Sequence, residues 1–300
     1  MILHTNPDFL GILERKALII AGVCHDLDHF GYNNSFTKRF STPFDTLYTA
    51  SPMEHHHIRE TFRIMSSSEN DILHGWPDDD KSKFAFLVKQ AILATDQITY
   101  FAEKNTLEDI LATNYDINNP DHRQSVMNLM MSSSDLVVSA KAREIHREST
   151  EDLYYEFHQQ GDSERLYGDQ PMPMMDRDNY PNMPKDQTGY LKHIVLPMFK
   201  LLAKAIPNTA ELVHGCAKNI TAWEEEMVRR ENPTEETTNE EVQPSKAYRH
   251  HRRKKGKRGE ESEESSKESN EEGTGAKRNP PSRGASPAND RETGSRRRNN

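Results

Sequence analysis

Past Arg230 the chain changes character, and this break limits how much of it can fold. From there to Asn300, Glu, Ser, Lys, Arg, Asn and Gly dominate and apolar residues are isolated. Such a segment cannot bury enough surface to offset its ordering entropy. A folded domain over 1–228 and a disordered, charged tail over 229–300 are therefore expected. The hydrophobic content of 33% over 300 residues, low for a wholly globular chain, agrees with that division. Within the tail, Lys246–Arg258 (KAYRHHRRKKGKR) is strongly basic, and an acidic, serine-rich block follows. A run of this kind is usually solvated charge; as a function it suits import factors or an anionic lipid surface. A nuclear or membrane-peripheral placement would follow from it, beside the default expectation of the cytosol.

The net charge of −9 gives no general case for nucleic-acid binding. Two cysteines, Cys24 and Cys216, indicate no disulfide framework and a reducing compartment. No apolar run approaches the roughly 18 residues that span a membrane. The start, Met-Ile-Leu-His-Thr-Asn-Pro, lacks the basic region and small-residue cleavage site of a signal peptide.

Helical periodicity runs through the first part of the chain. Leu10, Leu13, Ala17, Ile20 and Cys24 predict a helix over 8–24, and a half-polar connection leads to a second helix from Met53 to near Met65. After a loop over 66–80, Phe84, Val88, Ala91, Thr95, Ile98 and Ala102 form one stripe. A helix with Val126, Leu129 and Met130 inward should end around Asp135. Residues 148–160 should be helical and stop at Gly161-Asp162, with an irregular loop over 171–184. Residues 189–205 should be helical and bent at Pro197, which lacks an N–H, and 209–227 form a last helix. No strictly alternating run occurs between hairpin turns. The expected fold class is all-α.

The densest chemistry lies in Cys24-His25-Asp26-Leu27-Asp28-His29-Phe30-Gly31-Tyr32-Asn33-Asn34, which follows the apolar run Ala17–Val23. Two histidines and two aspartates fall within five positions. If the segment is helical, His25 and His29 lie one turn apart on one face. Imidazole and carboxylate together suit Zn²⁺ and similar ions, and carboxylates also hold Mg²⁺ or Mn²⁺. A metal site is the first reading, with all four side chains as candidate ligands.

The pattern H-D-x-D-H-x-G-x-x-N closely resembles the signature of class I cyclic nucleotide phosphodiesterases. Further blocks follow in that family's order: Met-Glu-x-His-His at 53–57, Ile-Leu-Ala-Thr-Asp at 92–96 and Ser-Asp-Leu at 134–136. Glu-Phe-x-x-Gln-Gly-Asp at 156–162 and Gln-x-Gly-Tyr at 187–190 complete the series. Six ordered blocks spread over about 10–225 make accident a poor explanation. Pro-Met-Pro-Met-Met-Asp-Arg-Asp at 171–178 and Asn-Asn-Pro-Asp-His-Arg at 118–123 look most like the type-10, dual-specificity members.

The resemblance implies a multi-helix catalytic domain that hydrolyses 3′,5′-cyclic AMP and 3′,5′-cyclic GMP to 5′-monophosphates. Two divalent ions, Zn²⁺ and Mg²⁺ (or Mn²⁺), about 4 Å apart, would share an ionised water and grip phosphate oxygens. By the same carry-over His25, Asp26 and Asp135 are metal ligands. His29, Glu54 and Thr95 stand behind them, around the shared hydroxide and the metal waters. Gln187 hydrogen-bonds the base, which is sandwiched between Leu153 and Tyr190. An amide that can turn serves adenine or guanine. Asp28 receives no metal role, and a homodimer is a further expectation.

Some positions depart from the family pattern. Its upstream Tyr-His-Asn-x-x-His block, carrying the general acid and one further ligand, has no counterpart in the sequence and would fall before Met1. Such a chain reads as a fragment lacking the first helices of the domain. That leaves open a second reading, an impaired fragment or pseudoenzyme that binds nucleotide or a partner without turnover. Phe30 stands where Arg or Pro is usual, and Ser134 where Cys is common. Val138 replaces the Asn of cAMP-specific members, and Tyr190 the more usual Phe. Taken singly, many of these residues have plain readings. Asp135 in a serine run reads as a helix terminus, His55–His57 as a solvated face, and Met172, Met174 and Met175 as packing.

Overall fold

Helix formation follows the apolar periodicity nearly everywhere, and the exceptions have local causes. The computed structural model describes residues 10–232, and no strand occurs among them. The helices begin with α1 (Ile12–Cys24), α2 (Asn34–Arg39), α3 (Pro43–Leu47), α4 (Pro52–Met65) and α5 (Asp78–Leu93). They continue with α6 (Gln97–Asp109), α7 (Pro120–Asp135), α8 (Arg143–Leu166), α9 (Met183–Tyr190), α10 (Leu196–Ala205) and α11 (Ala210–Glu231). The last helix runs three residues past the expected boundary at 228. The rest of the tail, with Lys246–Arg258, lies outside the described residues. Among the described residues no helix is long and apolar enough to cross a membrane.

Capping explains where the periodic stripes are cut. The stripe from Phe84 to Ala102 is two helices, because the Asp96 carboxylate accepts the Ile98 N–H at 2.9 Å and starts α6. The connection after α1 contains two short helices that periodicity misses. Asn33 caps α2 by accepting the Phe36 N–H, and Pro43 opens α3 with a preset φ. The bend expected at Pro197 takes the form of a π turn, Leu191–Val195, ending just before α10. A proline has no N–H for the regular ladder, so the irregularity sits where the ladder is already broken. The loop over 171–184 holds two 3₁₀ turns, Pro173–Met175 and Arg177–Asn182, and α9 begins at Met183.

The largest correction concerns Gly161-Asp162, expected to stop a helix. Instead α8 runs through both to Leu166. The glycine is there for packing: a Cβ on Gly161 would stand 1.9 Å from the Met175 carbonyl oxygen. Gly215 in α11 has the same role, since its Cβ would meet the Ala140 carbonyl oxygen at 2.2 Å. Beside it the Asn219 amide donates to the carbonyls of Ser139 (3.0 Å) and Lys141 (2.9 Å). Gly215 and Asn219 thus clamp the 3₁₀ turn Leu136–Ala140, which directly follows Asp135.

The core is built on α7, whose Val126, Met127, Leu129 and Met130 are buried as its periodicity requires. It packs on α1, α5 and α10, which contribute Ala17, Ala21, Val88, Ile92, Phe199 and Leu202. Trp223 of α11 is fully buried, donates to His146 Nε2 at 3.0 Å and lies 3.6 Å under the Arg143 guanidinium.

Two buried histidines give the fold an acid-sensitive point. Burial, reinforced by Arg143, pushes the His146 pKa down to about 4, while the Val138 carbonyl opposes the shift. His158, with Arg177 nearby, is likewise pushed down to about 4, mainly by burial. The unfolded chain takes up these protons near 6.5, whereas the folded chain resists until near 4. Stability present above pH 6.5 is therefore lost as pH falls towards 4, by on the order of 3 kcal/mol per histidine at the limit. Denaturant melts at pH 7 and pH 4.5 should show this loss, and His146→Gln should reduce the difference between them.

Candidate active site

The site grows from the end of α1. The helix stops at Cys24, with His25 just beyond in a helical conformation, and the chain then turns instead of continuing. Asp28 adopts φ 58°, a left-handed conformation that Asp tolerates better than most residues. His25 and His29 are therefore not stacked turns of one helix. Asp28 faces away from a ligand role, since its carboxylate takes His56 Nε2 at 2.9 Å. Gly31 turns the chain back at φ 80° beside Glu156.

The asparagines of the motif then build the frame. The Asn33 N–H donates to Gln160 Oε1 at 2.9 Å, and Gln160 Nε2 donates back to Asn33 Oδ1 at 3.1 Å, tying the loop to α8. Asn34 accepts the Met53 N–H and donates to Glu54 Oε2, both at 2.9 Å, fixing the start of α4.

Three histidines and two aspartates meet where this loop, α4 and the end of α7 converge. His25 Nε2 lies 3.1 Å from Asp135 Oδ1 and 3.6 Å from Asp26 Oδ2. His57 Nε2 lies 3.7 Å from Asp26 Oδ1, and one donor atom each from Asp26, His29 and His57 falls within 4.8 Å of the others. The His29 and His57 rings stack with centroids 5.6 Å apart. Two rings are oriented from behind: His25 Nδ1 donates to the Gly22 carbonyl (3.0 Å) and His57 Nδ1 to that of Leu27 (2.6 Å). In the neutral ring this leaves each Nε2 lone pair turned towards the carboxylates, the arrangement by which proteins present imidazole to a cation.

Electrostatics sharpen the picture. The Asp135 hydrogen bond raises the His25 pKa to about 9 against the opposing effect of burial. Burial lowers that of His57, which favours its neutral form. Asp26 is exposed at the centre, so the donors open onto solvent. Imidazole nitrogens and carboxylate oxygens converging on an open position fit a divalent cation with free coordination places.

Around this cluster stand the other expected residues. Glu54 is held by Asn34, and its pKa is raised, first by burial and then by the charges of Asp96 and Asp26. The Thr95 hydroxyl, in the turn after α5, donates to the Ile92 carbonyl at 2.8 Å, back into the end of that helix. Asp96 is structural: besides capping α6 it accepts the Ser51 hydroxyl at 2.7 Å.

On the nucleotide side, Gln187 is buried in α9 and Tyr190 closes that helix. Tyr190 Oη accepts from Gln97 Nε2 at 2.9 Å; burial raises its pKa to about 12, and the Asp135 charge adds to the rise. Asp135 therefore borders both halves of the site. Leu153 on α8 is 43% exposed, while its neighbour Tyr154, next to Gln187, is buried. The structure thus brings His25, Asp26, His29 and Asp135 together and sets Glu54 nearby, with Leu153 on an exposed position of α8.

Two participants escaped the sequence reading. His57 belongs to a run of three histidines read as a possible solvated face; its three-residue spacing from Glu54 on one helix was the available signal. Gln97 follows the Ala-Thr-Asp block and carries no local signal.

The described residues form an all-helical domain in which imidazoles and carboxylates suited to a divalent cation cluster at helix ends. The chain belongs to the 3′5′-cyclic nucleotide phosphodiesterase family, whose model matches residues 2–216. It is 39% identical over 224 residues to a Caenorhabditis elegans protein named probable 3′,5′-cyclic phosphodiesterase pde-5, covering 74% of this chain and 31% of that one. It is 33% identical over 219 residues to the cGMP-specific 3′,5′-cyclic phosphodiesterases of Drosophila melanogaster and Drosophila pseudoobscura. Those matches cover 72% of this chain and 20% of each fly protein. The chain therefore spans less than a third of the length of these relatives.

Proposed function

We propose that this chain carries metal-dependent hydrolysis of 3′,5′-cyclic nucleotides, with cGMP as substrate and cAMP also accepted, as in the type-10 members it resembles. The observation that carries the reading is the convergence of Asp26, His29 and His57 donors within 4.8 Å, with Asp135 on His25 beside them. Divalent ions at such a site supply charge to neutralise the phosphoryl group and lower the pKa of water. His25, Asp26 and Asp135 would hold them, joined by His57, whose neutral ring suits a ligand or its immediate support. His29 is positioned by the Gly31 N–H on its Nδ1 (3.0 Å), and Glu54, its pKa raised mainly by burial, stands beside the cluster. Gln187 is the hydrogen-bonding group for the base and Tyr190 its stacking face, with Leu153 opposite. The fly relatives' names support cGMP. A side-chain amide at 187 and an apolar Val138 support acceptance of both purines.

The second reading is nucleotide or partner binding without turnover. One experiment separates the two: incubate purified 1–300 with Mg²⁺ and either cGMP or cAMP, and follow 5′-monophosphate formation before and after chelation. Both nucleotides should be converted, chelation should stop conversion, and metal should restore it. Binding of nucleotide with no product selects the second reading, and product formation that survives chelation refutes metal dependence.

A further inference from the structure

We propose that Gln97 is a positioning residue for the stacking ring of Tyr190, so that the pair sets how tightly the site holds a purine nucleotide. The inference rests on the nucleotide site proposed above. Gln97 opens α6 directly after Asp96, whose side chain both caps that helix and takes the Ser51 hydroxyl, so its backbone is anchored twice. Its Nε2 reaches 2.9 Å to Tyr190 Oη across 93 positions of sequence. Tyr190 is the last residue of α9, where the helix passes into the π turn Leu191–Val195. Both side chains are half-buried.

Geometry makes the contact useful. A tyrosine ring swings about two side-chain torsions. A bond at its far, para oxygen, which lies on the axis of the second, restrains the first and so fixes where the ring stands. A ring already held in its stacking position has less freedom to lose when a base arrives. Phenylalanine, the residue usual in the resembled family, offers Gln97 nothing to hold. The hydroxyl of Tyr190 and the amide of Gln97 therefore make sense as a pair. Because the restraint acts on the ring and not on the base edge, it should serve adenine and guanine alike. Reading of the base edge falls to Gln187.

A double-mutant cycle tests this by measuring dissociation constants for fluorescent N-methylanthraniloyl cGMP and cAMP. Gln97→Leu and Tyr190→Phe each remove one partner and strand the other, so each should weaken binding about three- to tenfold. The double variant leaves neither group stranded and should bind better than the product of the single losses implies. Both nucleotides should weaken by the same factor, with their ratio unchanged. Thermal melts of all four proteins show whether each is folded, and Tyr190→Phe is conservative enough to keep the test alive if Gln97→Leu misfolds. No nucleotide binding by the wild type overturns the nucleotide-site reading and this inference with it. Wild-type binding with single variants unchanged, or a strictly multiplicative double variant, overturns this inference alone. A changed cGMP-to-cAMP ratio would assign Gln97 to base reading and overturn it as well.

Discussion

Asp135→Ala is expected to empty the metal site and reduce phosphodiesterase turnover by more than about a hundredfold, while leaving the fold intact. Residues that merely orient a ligand typically cost 10–100-fold in metal affinity or activity, and a ligand itself should cost more. Stability should behave differently. Asp135 is the final residue of α7, at the negative end of the helix dipole, where a carboxylate is disfavoured by about 0.3–1 kcal/mol. Against this stands its pair with His25, the contact that holds the His25 pKa near 9; discounted for its partial exposure it contributes on the order of 1–3 kcal/mol at pH 7. The pair outweighs the dipole effect, so the metal-free variant should melt several degrees below wild type yet remain folded. Metal content by elemental analysis, affinity by calorimetry with Mn²⁺, and a melt of the chelated protein make the comparison. Asp28→Asn is the control, because Asp28 pairs with His56 outside the cluster and Asn tolerates φ 58°. It should keep its metal. Equal metal loss in both variants would refute the assignment of Asp135.

What could be read in the sequence depended on whether the cause was local. The all-α class and the end of α7 at Asp135 came from periodicity and the choice of terminal residues, both short-range signals. The convergence of His25, Asp26 and Asp135 came instead from ordered motif blocks, since nothing local says that residues 110 apart will meet. Turn chemistry was harder to read. From the residues alone Asp28 was a fourth candidate ligand, and the motif blocks removed it without a local reason; the left-handed turn at 28, which sends it to His56, supplies that reason. Gly161 misled for the opposite reason: glycine's usual meaning is a stop, but here it allows a helix to touch another backbone. His57 carried only a weak spacing signal and Gln97 none, because what they touch is set by tertiary packing.

That last distinction supports the largest effect expected on stability. Gly161→Ala must displace the Met175 carbonyl, because backbone at 1.9 Å cannot rotate aside as a side chain would. Overpacking of this kind costs typically 1–3 kcal/mol, and occasionally more; a loss of about 3 kcal/mol lowers Tm by roughly 6–12 °C in a domain of this size. Gly215→Ala meets the Ala140 carbonyl at 2.2 Å and should cost nearly as much. The two should differ in what else they disturb. Displacing Ala140 strains the 3₁₀ turn that Asn219 clamps immediately after Asp135, so Gly215→Ala should also weaken Mn²⁺ binding at temperatures where the protein is still folded. Gly161→Ala pushes on the Pro173–Met175 turn and should leave Mn²⁺ affinity close to wild type. Gly22→Ala, inside α1 with nothing within 4 Å of its added Cβ, should raise stability by up to about 1 kcal/mol through helix propensity alone. If all three substitutions shift Tm alike, the close approaches at Gly161 and Gly215 do not hold these helices where the site needs them.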